Sequence, residues 1–195
     1  MKKFLIIVLL SITFLACKSN EESFWIAIEK NDIKKISDLL NKGVSVELKD
    51  KKGNTPLFNA ILKNKIELAN LLIKKGANVN ALDSVGNSMV TNSIISNGLS
   101  KLQAMMNNTD YIENQMLQIL LTNRANPNVA NGKQTPLHVA TFSKNVGAVR
   151  LLLKYNAKFN IKDRDGKTPL GIANTQEYPE YLEIRALLKQ SGATE

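Results

Sequence analysis

Three stretches of this chain repeat one pattern, and the repeat constrains the fold more than any other feature. Gly53-Asn54-Thr55-Pro56-Leu57-Phe58-Asn59-Ala60 aligns with Lys133-Gln134-Thr135-Pro136-Leu137-His138-Val139-Ala140 and with Gly166-Lys167-Thr168-Pro169-Leu170-Gly171-Ile172-Ala173. The second and third copies are 33 residues apart, and the first and second 80 apart, two such periods plus 14. A unit this short cannot bury its own apolar face, so units of this period must stack. Thr before Pro supplies an N-cap oxygen followed by a residue suited to the first helical position. Leu57, Ala60 and Ile61 then fall on one helical face, and Ile66, Ala69, Leu72 and Ile73 do the same in a second helix. Gly43, Gly76 and Gly192 stand just past the second helices, where a left-handed cap favours Gly. Asn156 and Arg124 occupy that place in two units, and Arg there carries about 1 kcal/mol of strain. Asp50-Lys51-Lys52-Gly53 and Asp163-Arg164-Asp165-Gly166 are turn sequences that stand off the helices.

The Thr-Pro-Leu starts, the period and endings such as Gly76-Ala77-Asn78-Val79-Asn80 make the chain resemble the ankyrin repeat. The resemblance covers 24–195 and implies an all-α solenoid of about five helix-turn-helix units: 24–49, 50–82, 83–129, 130–162 and 163–195. The first unit opens on Phe24-Trp25-Ile26-Ala27 instead of Thr-Pro-Leu, as a terminal cap does. The third departs furthest. Ser88-Met89-Val90 replaces the triplet, and the distance from Gly76 to Arg124 is 48, fifteen more than a period. The extra residues, about 99–113, are predicted to form a helical hairpin pointing away from the turns. Ile95, Leu99, Leu102 and Met106 continue a helical stripe into it, and Asp110 with Glu113 is a capping box for a lengthened second helix.

Lys2 and Lys3 precede an apolar run from Phe4 to Ala16, too short for a bilayer span but sized for a signal-peptide core. The run closes on Phe14-Leu15-Ala16-Cys17, which resembles the bacterial lipobox, with Phe14 where Leu is usual. That resemblance implies a lipoprotein signal peptide over 1–16, removed on maturation, and diacylglycerol on the Cys17 thiol. Acyl chains in that number give stable membrane anchoring. Residues 17–23 then read as the lipidated Cys and a polar tether.

Little else in the chain carries chemistry. The single Cys precludes an internal disulfide framework and a multi-Cys zinc site, and the single His would have to carry any His-based site alone. His138 reads as structural, and Asp163-Arg164-Asp165-Gly166 lacks the further acids of a calcium loop. No catalytic, cofactor-binding or metal site is expected, and no cofactor. The net charge of +9 comes from 22 Lys and only 4 Arg, which argues against reading of nucleic acid.

A binding role is what remains. The ankyrin resemblance implies a protein partner held on the concave face of turns and first helices. Its contact positions correspond here to Lys51, Lys52, Asn54, Leu62, Val85, Asn87, Ile95, Gln134, Phe142, Arg164 and Lys167. Leu62, Ile95 and Phe142 share one offset, so three exposed apolar residues would line up as a patch. The expectation is an exported monomer, lipid-anchored to a bacterial membrane and binding a protein through that face. It would serve as an envelope scaffold, as an immunity protein against an exported toxin or lipase-type enzyme, or as protector of a periplasmic enzyme.

Overall fold

The computed structural model describes residues 19–107, 113–132, 134–175 and 177–194. Among them lie ten helices in five consecutive pairs. They are α1 over 19–30 with α2 (Ile33–Asn41), α3 (Pro56–Leu62) with α4 (Ile66–Lys74), and α5 (Met89–Asn107) with α6 (Gln115–Thr122). Then come α7 (Pro136–Phe142) with α8 (Val146–Lys154), and α9 (Pro169–Asn174) with α10 (Pro179–Gln190). From α3 onward each first helix packs on the next first helix, and from α2 onward each second helix on the next second helix, giving two layers.

The local signals act as their chemistry requires. Thr55, Thr135 and Thr168 each accept a hydrogen bond from the backbone N–H three residues on. Leu57, Leu137 and Leu170 are buried behind them, and Ala60, Ala140 and Ala173 are fully buried where neighbouring helices meet. Leu72, Leu120, Leu152 and Leu188 fill the matching place in the second layer. Past each second helix the chain turns left-handed, at Gly76 with φ +90° and equally at Arg124 with φ +66° and Asn156 with φ +63°. The next residue returns its N–H to the carbonyl of that buried Leu, as Ala125 does to Leu120 at 3.0 Å. A second left-handed residue separates the helices of the first four pairs: Asn31, Asn64, Asn114 and Lys144.

Side chains also tie unit to unit. Glu47 Oε1 accepts from the Asn78 N–H, Asn80 Oδ1 from Asn126 N–H and Asn128 Oδ1 from Lys158 N–H, each at 2.7 Å. His138 completes a capping box with Thr135, and its Nε2 donates to the Lys167 carbonyl of the next unit at 3.1 Å.

Two expectations need correction. The polar stretch expected as a tether is helical over 19–23 and continuous with α1. The insertion, in turn, lengthens the first helix of its pair and not the second. α5 runs 19 residues against seven in α3 and α7, while α6 has only eight. The expected Asp110–Glu113 capping box does not start α6: Asp110 lies outside the described residues, and Asn114 precedes the helix in a left-handed conformation without a side-chain cap. Asn114 instead donates its backbone N–H to Asn97 Oδ1 at 2.7 Å and exchanges two amide hydrogen bonds with Asn145 of the next pair, at 2.9 and 2.8 Å. These bonds hold the base of the hairpin, and a Lys101–Glu113 ion pair closes it further out.

Candidate partner-binding face

The turns leading into the first helices are braced from within by a carboxylate. Asp50 Oδ1 accepts the Lys52 and Asn54 N–H groups at 2.8 and 2.9 Å, and its Oδ2 accepts Asn59 Nδ2 at 3.3 Å. Asp83 repeats this with the Val85 and Asn87 N–H groups at 2.9 and 2.8 Å and with Asn92 Nδ2 at 3.0 Å. Asp163 takes the N–H groups of Asp165 and Lys167. Burial alone would push the Asp50 carboxyl up, but the Asn54 N–H, the Asn59 amide and the Lys52 N–H outweigh it and hold the group below its ordinary value. Asp83 is lowered in the same way against its burial, by the Asn92 side chain first and then by the Asn87 backbone and side chain and the Val85 N–H.

This bracing involves two of the expected contact positions. The Asn54 and Asn87 side chains point back to Asp50 and Asp83, at 3.5 and 3.1 Å, so both amides serve the turn itself. The turns also lean on one another. Asn131 Nδ2 donates to the Val85 carbonyl and to Asn87 Oδ1, both at 3.0 Å. The Arg164 guanidinium lies over Gly132, where a Cβ would come within 2.4 Å of Nη2, so only Gly admits this approach. Gln134 pairs through its backbone with Asn131 and keeps its side chain exposed. Lys51, Lys52, Val85, Arg164 and Lys167 are exposed on these braced turns.

The seventh residues of α3, α5 and α7 are Leu62, Ile95 and Phe142, at 46%, 46% and 71% exposure. Their helices are neighbours in the first layer, so the three face solvent in successive units. The Phe142 backbone is fixed from behind by the Tyr181 hydroxyl, which donates to its carbonyl at 3.2 Å. Lys51, Lys52, Asn54 and Leu62 come together in a cleft of about 880 Å³ between α1 and the 48–54 turn. Trp25 and Ile26 line it too, as do the acids Glu21, Glu22 and Glu29. Sequence reasoning missed this acidic wall. Its signal lay in the three acids of the first unit, Glu21, Glu22 and Glu29. Val85, Asn87 and Arg164 form a second group, bridged by Asn131 and Gly132.

His138 is fully buried and bonded on both ring nitrogens, so it offers nothing to a partner. Burial pushes its pKa down, only partly offset by the Lys167 carbonyl, Asp163 and the Ile161 carbonyl. Among the described residues no three His, Cys, Asp or Glu side chains converge as metal ligands, and no helix is long and apolar enough to cross a membrane. The apolar leader at 1–16 and Cys17 lie outside the described residues.

A family model described as ankyrin repeats (3 copies) matches residues 5–83, 24–114 and 102–194. An ankyrin repeat protein of fowlpox virus (strain NVSL) is 30% identical over 150 residues, which are 76% of this chain and 17% of the viral protein. The chain thus spans about a sixth of that relative's length.

Proposed function

Because the chain belongs to the ankyrin-repeat family, a family of protein-binding modules, we propose that it binds a protein partner through the face built by its turns and first helices. The observation that carries this reading is the row Leu62, Ile95 and Phe142. These are large apolar side chains left in solvent at one repeating position, beside braced turns that present Lys51, Lys52 and Arg164. Exposed apolar patches rimmed by charge mark interaction sites, and a few such anchors dominate binding energy. The finer reading is a lipoprotein of the bacterial envelope, with Cys17 as the acylated residue and the repeat array held near the membrane. It rests on the leader sequence alone.

Phe142→Ala is the direct test. The side chain is mostly in solvent, so truncation should leave the melting temperature within about 2 °C of wild type, as surface changes of under 0.5 kcal/mol do. Binding of the partner should weaken by about 2 kcal/mol or more. A large drop in melting temperature would make Phe142 a packing residue and remove the observation on which the reading stands.

A further inference from the structure

The step Asn-Gly occurs twice in this chain, at Asn97–Gly98 and at Asn131–Gly132. Such a step carries its own chemistry. Gly has no Cβ to shield its backbone nitrogen, so that nitrogen can reach the side-chain amide carbon of the Asn before it. The fold treats the two copies in opposite ways. Asn97–Gly98 lies inside α5, where the Gly98 N–H belongs to the helical ladder. Asn97 is buried, and its Oδ1 holds the Asn114 N–H at 2.7 Å. Asn131–Gly132 lies in the turn ahead of α7. Gly132 is exposed and left-handed at φ +63°, and its N–H donates to no described residue.

The reaction balances with water alone. The Gly132 nitrogen forms a bond to Asn131 Cγ, the Cγ–Nδ2 bond breaks, and Nδ2 departs as ammonia with the proton that Gly132 gave up. Water then opens the cyclic imide at either carbonyl, leaving Asp or isoaspartate and returning a proton to the Gly132 nitrogen. An amide and a water are consumed, a carboxyl group and ammonia are released, and nothing is oxidised or reduced.

The product does not fit the place that the amide fills. Asn131 Nδ2 donates to the Val85 carbonyl and to Asn87 Oδ1, both at 3.0 Å, and so latches one turn to the next. A carboxylate offers only acceptors, and both of these partners are acceptors. In isoaspartate the chain runs through the side-chain carbon. The Asn131 carbonyl that accepts the Gln134 N–H at 3.1 Å then becomes the free carboxylate, and the paired turn opens. On the other side the Arg164 guanidinium lies over Gly132 and offers a cation to the new charge.

We propose that Asn131–Gly132 is a self-modifying step, deamidated in the folded protein, and that the new carboxylate releases the turn at 83–87 and pairs with Arg164 instead. The reaction needs no partner, so it goes beyond the protein-binding reading and does not rest on it.

The full chain is aged at pH 8, folded and in urea, and its peptides are mapped by tandem mass spectrometry. In the folded chain Asn131 should convert at least tenfold faster than Asn97, to both Asp and isoaspartate. In urea the two rates should converge, because only the shared dipeptide then sets them. A folded Asn131 as slow as Asn97 overturns the site, and so does a tenfold difference that persists in urea. Asn131→Asp supplies one product directly. Its amide protons at 83–87 should exchange at least tenfold faster than in wild type, with those of α8 unchanged. Unchanged exchange at 83–87 overturns the release. Arg164→Gln should lower the melting temperature further in Asn131→Asp than in the wild-type background, and an equal effect in both overturns the new pairing. None of these readouts involves a partner, so the Phe142→Ala test of the binding face stands or falls separately.

Discussion

Removing the His138 ring tests how the fourth and fifth units are joined. The ring is fully buried. Nδ1 accepts from the Thr135 N–H at 3.2 Å and pairs with Thr135 Oγ1 at 2.7 Å, and Nε2 donates to the Lys167 carbonyl at 3.1 Å. His138→Ala strips a partner from Thr135 at the helix start and from a carbonyl of the following turn. At about 1 kcal/mol for each lost bond, and somewhat more for groups left unpaired, the loss is about 2–3 kcal/mol. For a chain of this size, each kcal/mol lowers the melting temperature by about 2–4 °C. Urea denaturation at pH 8 measures the free-energy difference, provided the slope is unchanged. The loss is also pH-dependent in a defined direction. Burial holds the folded imidazole below its ordinary pKa of about 6.5, so the unfolded chain takes up the proton first. Wild-type stability from this group is complete above about pH 6.5 and declines as pH falls toward the folded value. His138→Ala has no such group, so the wild-type advantage should shrink between pH 7.5 and 5.5. An advantage below about 0.5 kcal/mol at pH 8, or one that grows on acidification, would refute the assignment of His138 as the neutral link between units.

Other substitutions test separate parts of the structure. Thr141 is fully buried with its hydroxyl unpartnered, where two other units have Ile61 and Ile94, so Thr141→Val should stabilise by about 1 kcal/mol in the same urea assay. Arg124→Gly relieves a left-handed residue at φ +66° and should raise stability by about 0.5–1 kcal/mol, with no gain expected from Lys42→Gly, which is right-handed at φ −80°. Cys17→Ser should yield an unprocessed precursor that takes up no labelled fatty acid. Wild-type processing of that variant would remove the lipid anchor from the proposed function.

Much of the fold is legible in the sequence because three units mark the start of the first helix with Thr-Pro and four mark the end of the second with Gly or Asn. The exposure of Phe142, Leu62 and Ile95 follows from their shared offset for the same reason. The hairpin is less legible. Asn97 stands at the offset of Asn64, where other units turn left-handed, yet the turn is made 17 residues later at Asn114. Several Asn in this stretch offer the same local chemistry, and tertiary contact with Asn145 selects among them. The roles of Asn54 and Asn87 stayed hidden because an amide two to four residues after an Asp reads equally as a contact or a brace. The ladder of Glu47, Asn80 and Asn128 had a signal in the recurrence of Asn at one offset, but its bonds join distant parts of the chain.

The polar filling of the third unit affects how the array comes apart. Where α3 buries Phe58 and Ala60, α5 buries Thr91 and Ser93, and it buries Asn92, Ser96 and Asn97 as well, beside Met89, Val90 and Ile94. A stacked array transmits cooperativity only from neighbour to neighbour. A joint held by amide and hydroxyl bonds carries less of the solvent-driven cohesion that makes such transmission strong. Opening should therefore begin at the middle of this chain as readily as at its ends. The two halves would part like the leaves of a book, each keeping its own pairs of helices. Amide protons of α5 and α6 would then exchange earlier than those of α3 and α8, although they lie deeper in the sequence of units.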